Sequence, residues 1–423
     1  MSIELKKGVR LSVVPTEKFK TIRILFRFQA PLQKEIIAKR TLLSSLLETN
    51  CATYPTQTQM SARLAELYGA SFSTYVSRKG KQHWFDISVN MVNGSYLHEE
   101  NLFEEVIEFV KEAIFSPNIK NGAFDEATFL REKENLMQYI HSTREDKQYY
   151  ASLRLNELFF EDCPVQSLPS FGTVSLLDEE TAQSIAEYYQ TMLQTDLLDI
   201  VVMGDISEEK VRAAMETLPF VDRESAALPI FYEGEKTKNI IKEQIDSEPI
   251  NQSRLALAYS IPYRYGAKEY AALQVFNGIF GSYPHSKLFQ TVREKQSMAY
   301  SIQSSFDSFR GIMSVSAGIA SKNRDKAIKS IHACFDEMVA GTISKSEIEK
   351  TKEMIKNSYL QGLDRPGALI EMAFMEELMP EQYKSPEVWQ ELISAVSLEE
   401  IKEVAKNIKL ACVYFLEGSM EED

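Results

Sequence analysis

The sequence predicts an α+β fold of two homologous domains, each a mostly antiparallel sheet with helices packed on one side. Three observations lead there. Apolar residues alternate with polar ones in some stretches and recur at helical spacing in others. The order of those stretches in the first half returns in the second. The composition, 44% hydrophobic and 26% charged over 423 residues, is that of a globular chain long enough to bury two or three cores.

Taken in order, residues 8–15 and 21–28 read as strands. In the second, Ile22, Ile24, Phe26 and Phe28 alternate with Thr21, Arg23, Leu25 and Arg27, as a half-buried strand requires. Residues 35–50 read as a helix with Ile36, Leu43, Leu46 and Leu47 on one stripe. Pro55 breaks the chain. Thr58 reads as the N-cap of a helix running to Tyr68, with Gly69 as its stop. Residues 71–77 and 82–89 read as strands, and 101–114 as an amphipathic helix turning Phe103, Val106, Phe109 and Val110 inward. Helices are expected within 124–143, 149–160 and 177–190, and a buried strand over 198–204. Residues 218–252 differ, being rich in Glu, Lys and Asp around Pro219, Pro229 and Pro249. The expected boundaries are a first domain over 1–220, a linker region over 221–250 that includes part of a strand, and a second domain over 251–423.

The repeat is traced by matching positions. Arg254–Pro262, with Leu255, Leu257, Tyr259 and Ile261 alternating, corresponds to Ile22–Pro31. Ala271–Phe280 corresponds to the helix at Glu35–Asn50. The strand from Tyr300 corresponds to the one near Ser71, and Ala411–Gly418 to Leu198–Gly204. Such a long repeat is a duplicated domain and not a solenoid.

Composition also narrows function. A formal net charge of -14 argues against nucleic acid and anionic membrane as partners, since both require a basic surface. Cys51, Cys163, Cys334 and Cys412 form no C-x-x-C pair, so neither a zinc knuckle nor a disulfide framework is indicated. The first residues lack an apolar signal-like core, and a cytoplasmic location is expected. No G-x-S-x-G elbow, phosphate-binding loop or dinucleotide fingerprint occurs.

The most specific stretch is Leu288-Phe289-Gln290-Thr291-Val292-Arg293-Glu294-Lys295-Gln296-Ser297-Met298-Ala299-Tyr300. Leu288 and Val292 share a helix face, residues 294–297 read as a turn, and Tyr300, Ile302, Ser304 and Phe306 point one way along a strand. Such a unit can present Arg293 and Tyr300 at one cleft as a cationic fork and an O–H donor, suited to a polarised carbonyl or an oxyanion. On spacing alone, the commoner reading is a helix-capping arginine and a core tyrosine.

This stretch resembles the arginine–tyrosine element of the pitrilysin/insulinase metallopeptidase family. Leu288-Phe289, Val292-Arg293-Glu294-Lys295 and Ala299-Tyr300-Ser301 all match, preceded by Phe276-Asn277-Gly278-Ile279-Phe280-Gly281. Ser282-Tyr283-Pro284-His285 departs from the family's glycine-rich loop. The resemblance implies the pitrilysin/mitochondrial-processing-peptidase-like fold, and that Arg293 and Tyr300 contact substrate and its transition state. It also implies an H-x-x-E-H zinc motif on the first long helix and a glutamate ligand on a later one. The matching positions hold Ser45, Glu48 and Thr49, and Tyr139. Two hydroxyls and a phenol are a poor donor set for zinc, and none of the five histidines forms a substitute motif. His98 reads as solvated and His285 as a turn residue. The expectation is therefore a degenerate zinc site with no metal of its own. The chain would be the zinc-less subunit of a heterodimeric metallopeptidase, supplying Arg293 and Tyr300 to a zinc-bearing partner that hydrolyses peptides. A homodimer of the isolated chain can use similar faces. The alternative is a non-enzymatic peptide-binding or scaffold protein of the same fold.

Overall fold

Two sheets with one strand order underlie the repeated sequence pattern. The structure, a computed structural model, describes residues 2–224, 227–234 and 240–420. The first sheet is built from β1 (Ile3–Lys6), β2 (Val9–Pro15), β3 (Thr21–Pro31), β4 (Ser71–Lys79) and β5 (Gln82–Val92). A two-stranded ribbon of β6 (Ile119–Lys120) and β7 (Ala123–Phe124) follows, and β8 (Leu197–Gly204) returns to the main sheet. Its order is β1-β2-β8-β3-β5-β4. The second sheet comprises β9 (Lys242–Glu248), β10 (Ser253–Ser260), β11 (Ala299–Asp307), β12 (Ile312–Ile319) and β13 (Lys409–Gly418), in the order β11-β12-β10-β13-β9. Without β1 the two orders coincide. Each sheet is antiparallel except for one pair, β2 with β8 and β9 with β13.

The alternation read in β3 sets the core. Ile22, Ile24, Phe26 and Phe28 are buried against the helix Lys34–Thr49, whose Leu42, Leu43, Leu46 and Leu47 join the same cluster. That helix also carries the fully buried Arg40, which donates to Phe28 O at 2.7 Å and to Asp196 at 2.5 Å. In the second unit, Leu255, Leu257, Tyr259 and Ile261 of β10 and its flank pack with Leu273, Val275 and Phe276 of the helix Tyr270–Asn277.

Some boundaries differ from the sequence reading. Thr56, not Thr58, caps the helix Gln57–Glu66: its backbone is extended and its hydroxyl accepts the N–H of Gln59. The helix expected over 177–190 is two helices, Val174–Asp178 and Ala182–Thr195, because Thr181 and Ser184 form a capping box between them. Within the acidic stretch, β9 pairs along β13. Residues 225–226 and 235–239 of the expected linker lie outside the described residues.

The units exchange segments. The first comprises Met1–His141, Pro169–Ile230 and Leu363–Pro380; the second comprises Ser142–Leu168, Phe231–Gly362 and Glu381–Asp423. The helix Pro366–Leu378 thus packs on the first sheet, on the face opposite Phe26 and Phe28. There Arg27 makes a two-pronged bond to Asp86, both contacts 2.8 Å, and reaches Glu371 of the helix at 2.8 Å. Its guanidinium lies 4.2 Å from the Trp84 ring and 4.4 Å from that of Phe374. Reciprocally, the helix Lys147–Phe159 covers Ala256, Ala258, Cys412 and Tyr414 on the second sheet through Ala151 and Leu155.

Removing Arg27 leaves a buried carboxylate without its partner. Arg27→Ala is expected to lower unfolding free energy by about 3–5 kcal/mol in urea titration. Glu371→Gln, at a partly exposed carboxylate, is expected to cost at most about 1 kcal/mol.

Candidate functional site

The sequence around Arg293 folds through three departures from regular backbone. Gly278–Ser282 and Phe289–Lys295 are π-helical, a rare geometry that concentrates at functional sites. Ser297 takes a left-handed φ of 50°, which costs a non-glycine residue about 1–2 kcal/mol. The β11–β12 register then shifts between Ala299 and Ser301, so Tyr300 is the extra residue of a β-bulge.

The buried anchors explain why these irregularities persist. Leu288, Val292, Ala299 and Ile302 all lie in the second core. Met298 N–H donates to Val292 O at 3.0 Å and Ser297 N–H to Arg293 O at 3.0 Å, folding the turn back on the helix. Gly281 leaves no room for a side chain: a Cβ there would lie 2.6 Å from Leu288 Cδ1 and 2.6 Å from Ser304 Oγ. With the apolar positions fixed, Arg293 and Tyr300 are left outside, and Tyr300 is 60% exposed. The straight alternation read from sequence is corrected at its first residue: the bulge takes Tyr300 off the side shared by Ile302 and Ser304, which are buried.

Arg293 lays its guanidinium over the Phe289 ring at 4.5 Å and, among the described residues, has a loose pair with Glu294 at 3.6 Å. Both side chains of that pair are exposed, so little holds the arginine against a better acceptor. A planar donor fork and a phenolic O–H, exposed on one helix–turn–strand unit, can bind carboxylates and carbonyl oxygens. Nearby, His285 Nε2 lies 2.8 Å from Thr351 Oγ1 and its ring stacks on Tyr283. Burial, assisted by Lys350, lowers its pKa.

In the first unit, two of the four positions matched to a zinc motif, Glu48 and Thr49, bond within the fold by their side chains. Thr49 Oγ1 donates to Ser45 O at 2.8 Å within the helix. Glu48 accepts the main-chain N–H of Thr74 at 3.2 Å, and Thr74 Oγ1 donates to Ser44 O at 2.6 Å. Tyr139 is exposed and packs edge-on against Phe171. The neighbouring Asn50 donates to Thr128 at 3.1 Å, tying the helix end to the helix Glu126–Thr143. These residues do not fit zinc: two hydroxyls and a phenol lack the required donors, and the one carboxylate already holds a strand. Among the described residues, no group of three His, Cys, Asp or Glu can hold a metal. His83 is no substitute, being buried with Nε2 2.8 Å from Ser170 O and its pKa pushed down to about 3 by burial and Arg40. Nothing in the sequence distinguishes Thr74 or Ser297, because a strand threonine and a turn serine carry no pattern of their own. No helix among the described residues is long and apolar enough to cross a membrane.

A family profile described as "Peptidase M16 inactive domain" matches residues 179–355. The chain is 34% identical over 415 residues to the "Probable inactive metalloprotease YmfF" of Bacillus subtilis strain 168, covering 97% of this chain and 96% of that protein. A crystal structure of a conserved protein from Enterococcus faecalis V583 superposes with a TM-score of 0.96 at 50% identity, over 100% of this chain and 99% of the other. A peptidase M16 inactive domain from Pseudomonas fluorescens shares the fold, with a TM-score of 0.82 at 16% identity over 100% and 99% of the two chains.

Two measurements test this site. Ser297→Gly removes the left-handed strain and is expected to raise stability by about 1 kcal/mol in thermal or urea unfolding. Elemental analysis of the purified chain is expected to find no stoichiometric zinc, and chelator is expected to leave its unfolding temperature unchanged; a chelator-sensitive, stoichiometric metal would refute the account of the first-unit helix.

Proposed function

The chain belongs to the M16 metallopeptidase family, the pitrilysin/insulinase family, and from that premise we propose that it is the zinc-less subunit of a heterodimeric peptidase. It supplies Arg293 and Tyr300 to the substrate site of a homologous, zinc-bearing partner in the cytoplasm. A non-catalytic role for the isolated chain is supported by the family match and by the relative described as inactive. The observation that carries the reading is an asymmetry. The first-unit positions lack the donor set that zinc needs, and Glu48 and Thr49 bond within the fold, whereas Arg293 and Tyr300 are held outward on a strained, core-anchored turn.

In this reading a zinc ion held by the partner would supply the activated water and the polarisation of the scissile carbonyl. This chain's residues bind and orient. Arg293 leaves the Phe289 ring, or pivots over it, to hold a substrate carbonyl or terminal carboxylate with paired N–H donors. Tyr300 donates its O–H to the oxygen that gains charge as the peptide carbonyl is attacked, an interaction that typically contributes about 2.7–4 kcal/mol. Neither residue has to exchange a proton with bulk water. The turn that carries both donors is set by core packing before the substrate arrives, and Arg293 completes its contact by moving from the Phe289 ring.

The test is a mixed complex with a zinc-bearing homologue. Arg293→Ala and Tyr300→Phe are each expected to lower peptide turnover by roughly a hundredfold or more while leaving the complex intact on size exclusion. Unchanged turnover in both variants would end the proposal, and peptide capture by the chain with no such homologue bound would favour a scaffold role instead.

A further inference from the structure

The repeat provides an internal control for how each sheet fills its second face. Taking Pro31 and Pro262 as equivalent strand ends, Arg27 and Gln29 of β3 correspond to Ala258 and Ser260 of β10. Across the ladders, Asp86 and Trp84 of β5 then correspond to Ser314 and Ile312 of β12, and Asp199 of β8 to Cys412 of β13. None of the second-unit residues carries a charge, and most are smaller. In the first unit the layer is full: Arg27 lies against the Trp84 and Phe374 rings, and Gln29 bonds to Asp199. In the second unit the helix Lys147–Phe159 closes over Ala256, Ala258, Cys412 and Tyr414. A cavity of about 380 Å³ remains beside it, lined in part by Ser260 and Cys412.

The backbone differs at the same place. β3 and β8 pair without interruption, whereas the β10–β13 register shifts between Ala258 and Tyr259 and leaves Ala411 as the extra residue of a bulge beside Cys412. Ala411 lines the cavity, and bulges are over-represented next to functional sites. The walls are aromatic. Phe160 is buried and meets Tyr232 edge-on, with ring centroids 5.5 Å apart, and Tyr263 contributes from the flank of β10. Arg310 closes one side, its guanidinium 4.2 Å from the Phe160 ring and bonded to Asn156 and Gln166. Burial pushes the Cys412 thiol up to about 12, so it stays protonated at neutral pH and forms part of the wall rather than a nucleophile.

We propose that this cavity binds a small organic monoanion with a flat apolar body, an arylalkyl carboxylate. Its volume falls among those of small-molecule sites, about 300–1,000 Å³. Its apolar floor and aromatic walls suit a ring, which packs edge-on or offset against Phe160 and Tyr232. The charged residues that line it are Lys242, Arg264 and Arg310 against Asp162 and Glu233. They leave an excess of one positive charge in a chain whose net charge is -14, so an anion is favoured there over a cation. Lys242 and Arg264 are held by Glu161 at 2.7 Å and Glu233 at 2.6 Å, which positions both cations before a ligand arrives. The inference goes beyond the proposed function and rests on no residue used there.

The experiment uses the full chain with 3-phenylpropionate as the probe and 3-phenylpropanamide as its neutral isostere. Isothermal titration is expected to show saturable binding of the carboxylate at one site, and roughly tenfold weaker binding of the amide. Ser260→Gln/Cys412→Met fills the cavity from its floor, the first change restoring the glutamine of the first unit. It is expected to weaken carboxylate binding roughly tenfold or more. Circular dichroism checks that the double variant is folded, and Ser260→Gln alone serves the same purpose with a smaller change to the core. No saturable binding of the carboxylate overturns the inference. Equal binding of carboxylate and amide overturns the anionic class of ligand. Binding that persists unchanged in a folded cavity-filling variant puts the probe elsewhere on the chain and overturns the site.

Discussion

A chain that must bury Leu288, Val292, Ala299 and Ile302 in one core, across a reversal of direction, has more residues between them than regular backbone accommodates. The extra length is absorbed in a π-helical turn, a left-handed Ser297 and a bulge at Tyr300. Each device is unfavourable alone and persists because the packed positions on either side over-determine it. The outward placement of Arg293 and Tyr300 is the complement of that packing. The residues that do not fit the core register are the ones presented to solvent.

The first unit handles the equivalent stretch with regular backbone and local side-chain bonds. Its long helix is regular, and Thr49 bonds back one turn to Ser45 while Glu48 seals an N–H of the sheet edge. A metal needs donors whose lone pairs are unused and aimed at one point. Here a serine and a threonine stand where imidazoles are needed, and the one carboxylate, Glu48, is engaged with β4. The duplication thus yields two units of one topology whose polar groups are used in opposite ways, inward in the first and outward in the second.

Much of the architecture was legible because it rests on local periodicity. The alternation of Ile22, Ile24, Phe26 and Phe28, the stripe of Leu43, Leu46 and Leu47, and their counterparts at Leu255–Ile261 fix the strands, the facing helix and the repeat, although Ile37 and Leu42 rather than Ile36 complete the buried stripe. The order of the sheets follows from the repeat once one half is known. Features that depend on a single residue's dihedral were not legible. Nothing in Gln296-Ser297-Met298 marks Ser297 as left-handed, since the residue usually found there is glycine or asparagine. Thr56 and Thr58 are both plausible caps by type, and only backbone geometry separates them. Tyr300 illustrates the mixture: its presence at the start of a strand could be read, but the bulge that turns it away from Ile302 could not.

Arg27 shows where local reading stops altogether. Alternation correctly sets it on the face away from Phe26 and Phe28, and a charged residue on a sheet's second face ordinarily meets water. It is instead 4% exposed, because the helix Pro366–Leu378 covers that face. The covering helix lies far along the chain, so no window of sequence around Arg27 contains the information. The cover also dictates the chemistry beneath it. Once water is removed, Arg27 requires Asp86, and Arg10 likewise binds Asp199 through two contacts of 2.7 and 2.9 Å. These pairs sit directly across neighbouring strands, Arg27 opposite both Asp86 and Asp199, so the charges that would have decorated an open sheet become its cross-strand ties. Because the helix Lys147–Phe159 makes the reciprocal crossing, each unit owes the burial of its second face to the other half of the chain. A duplicated fold of this kind covers the second faces of its central strands only by giving up the independence of its halves.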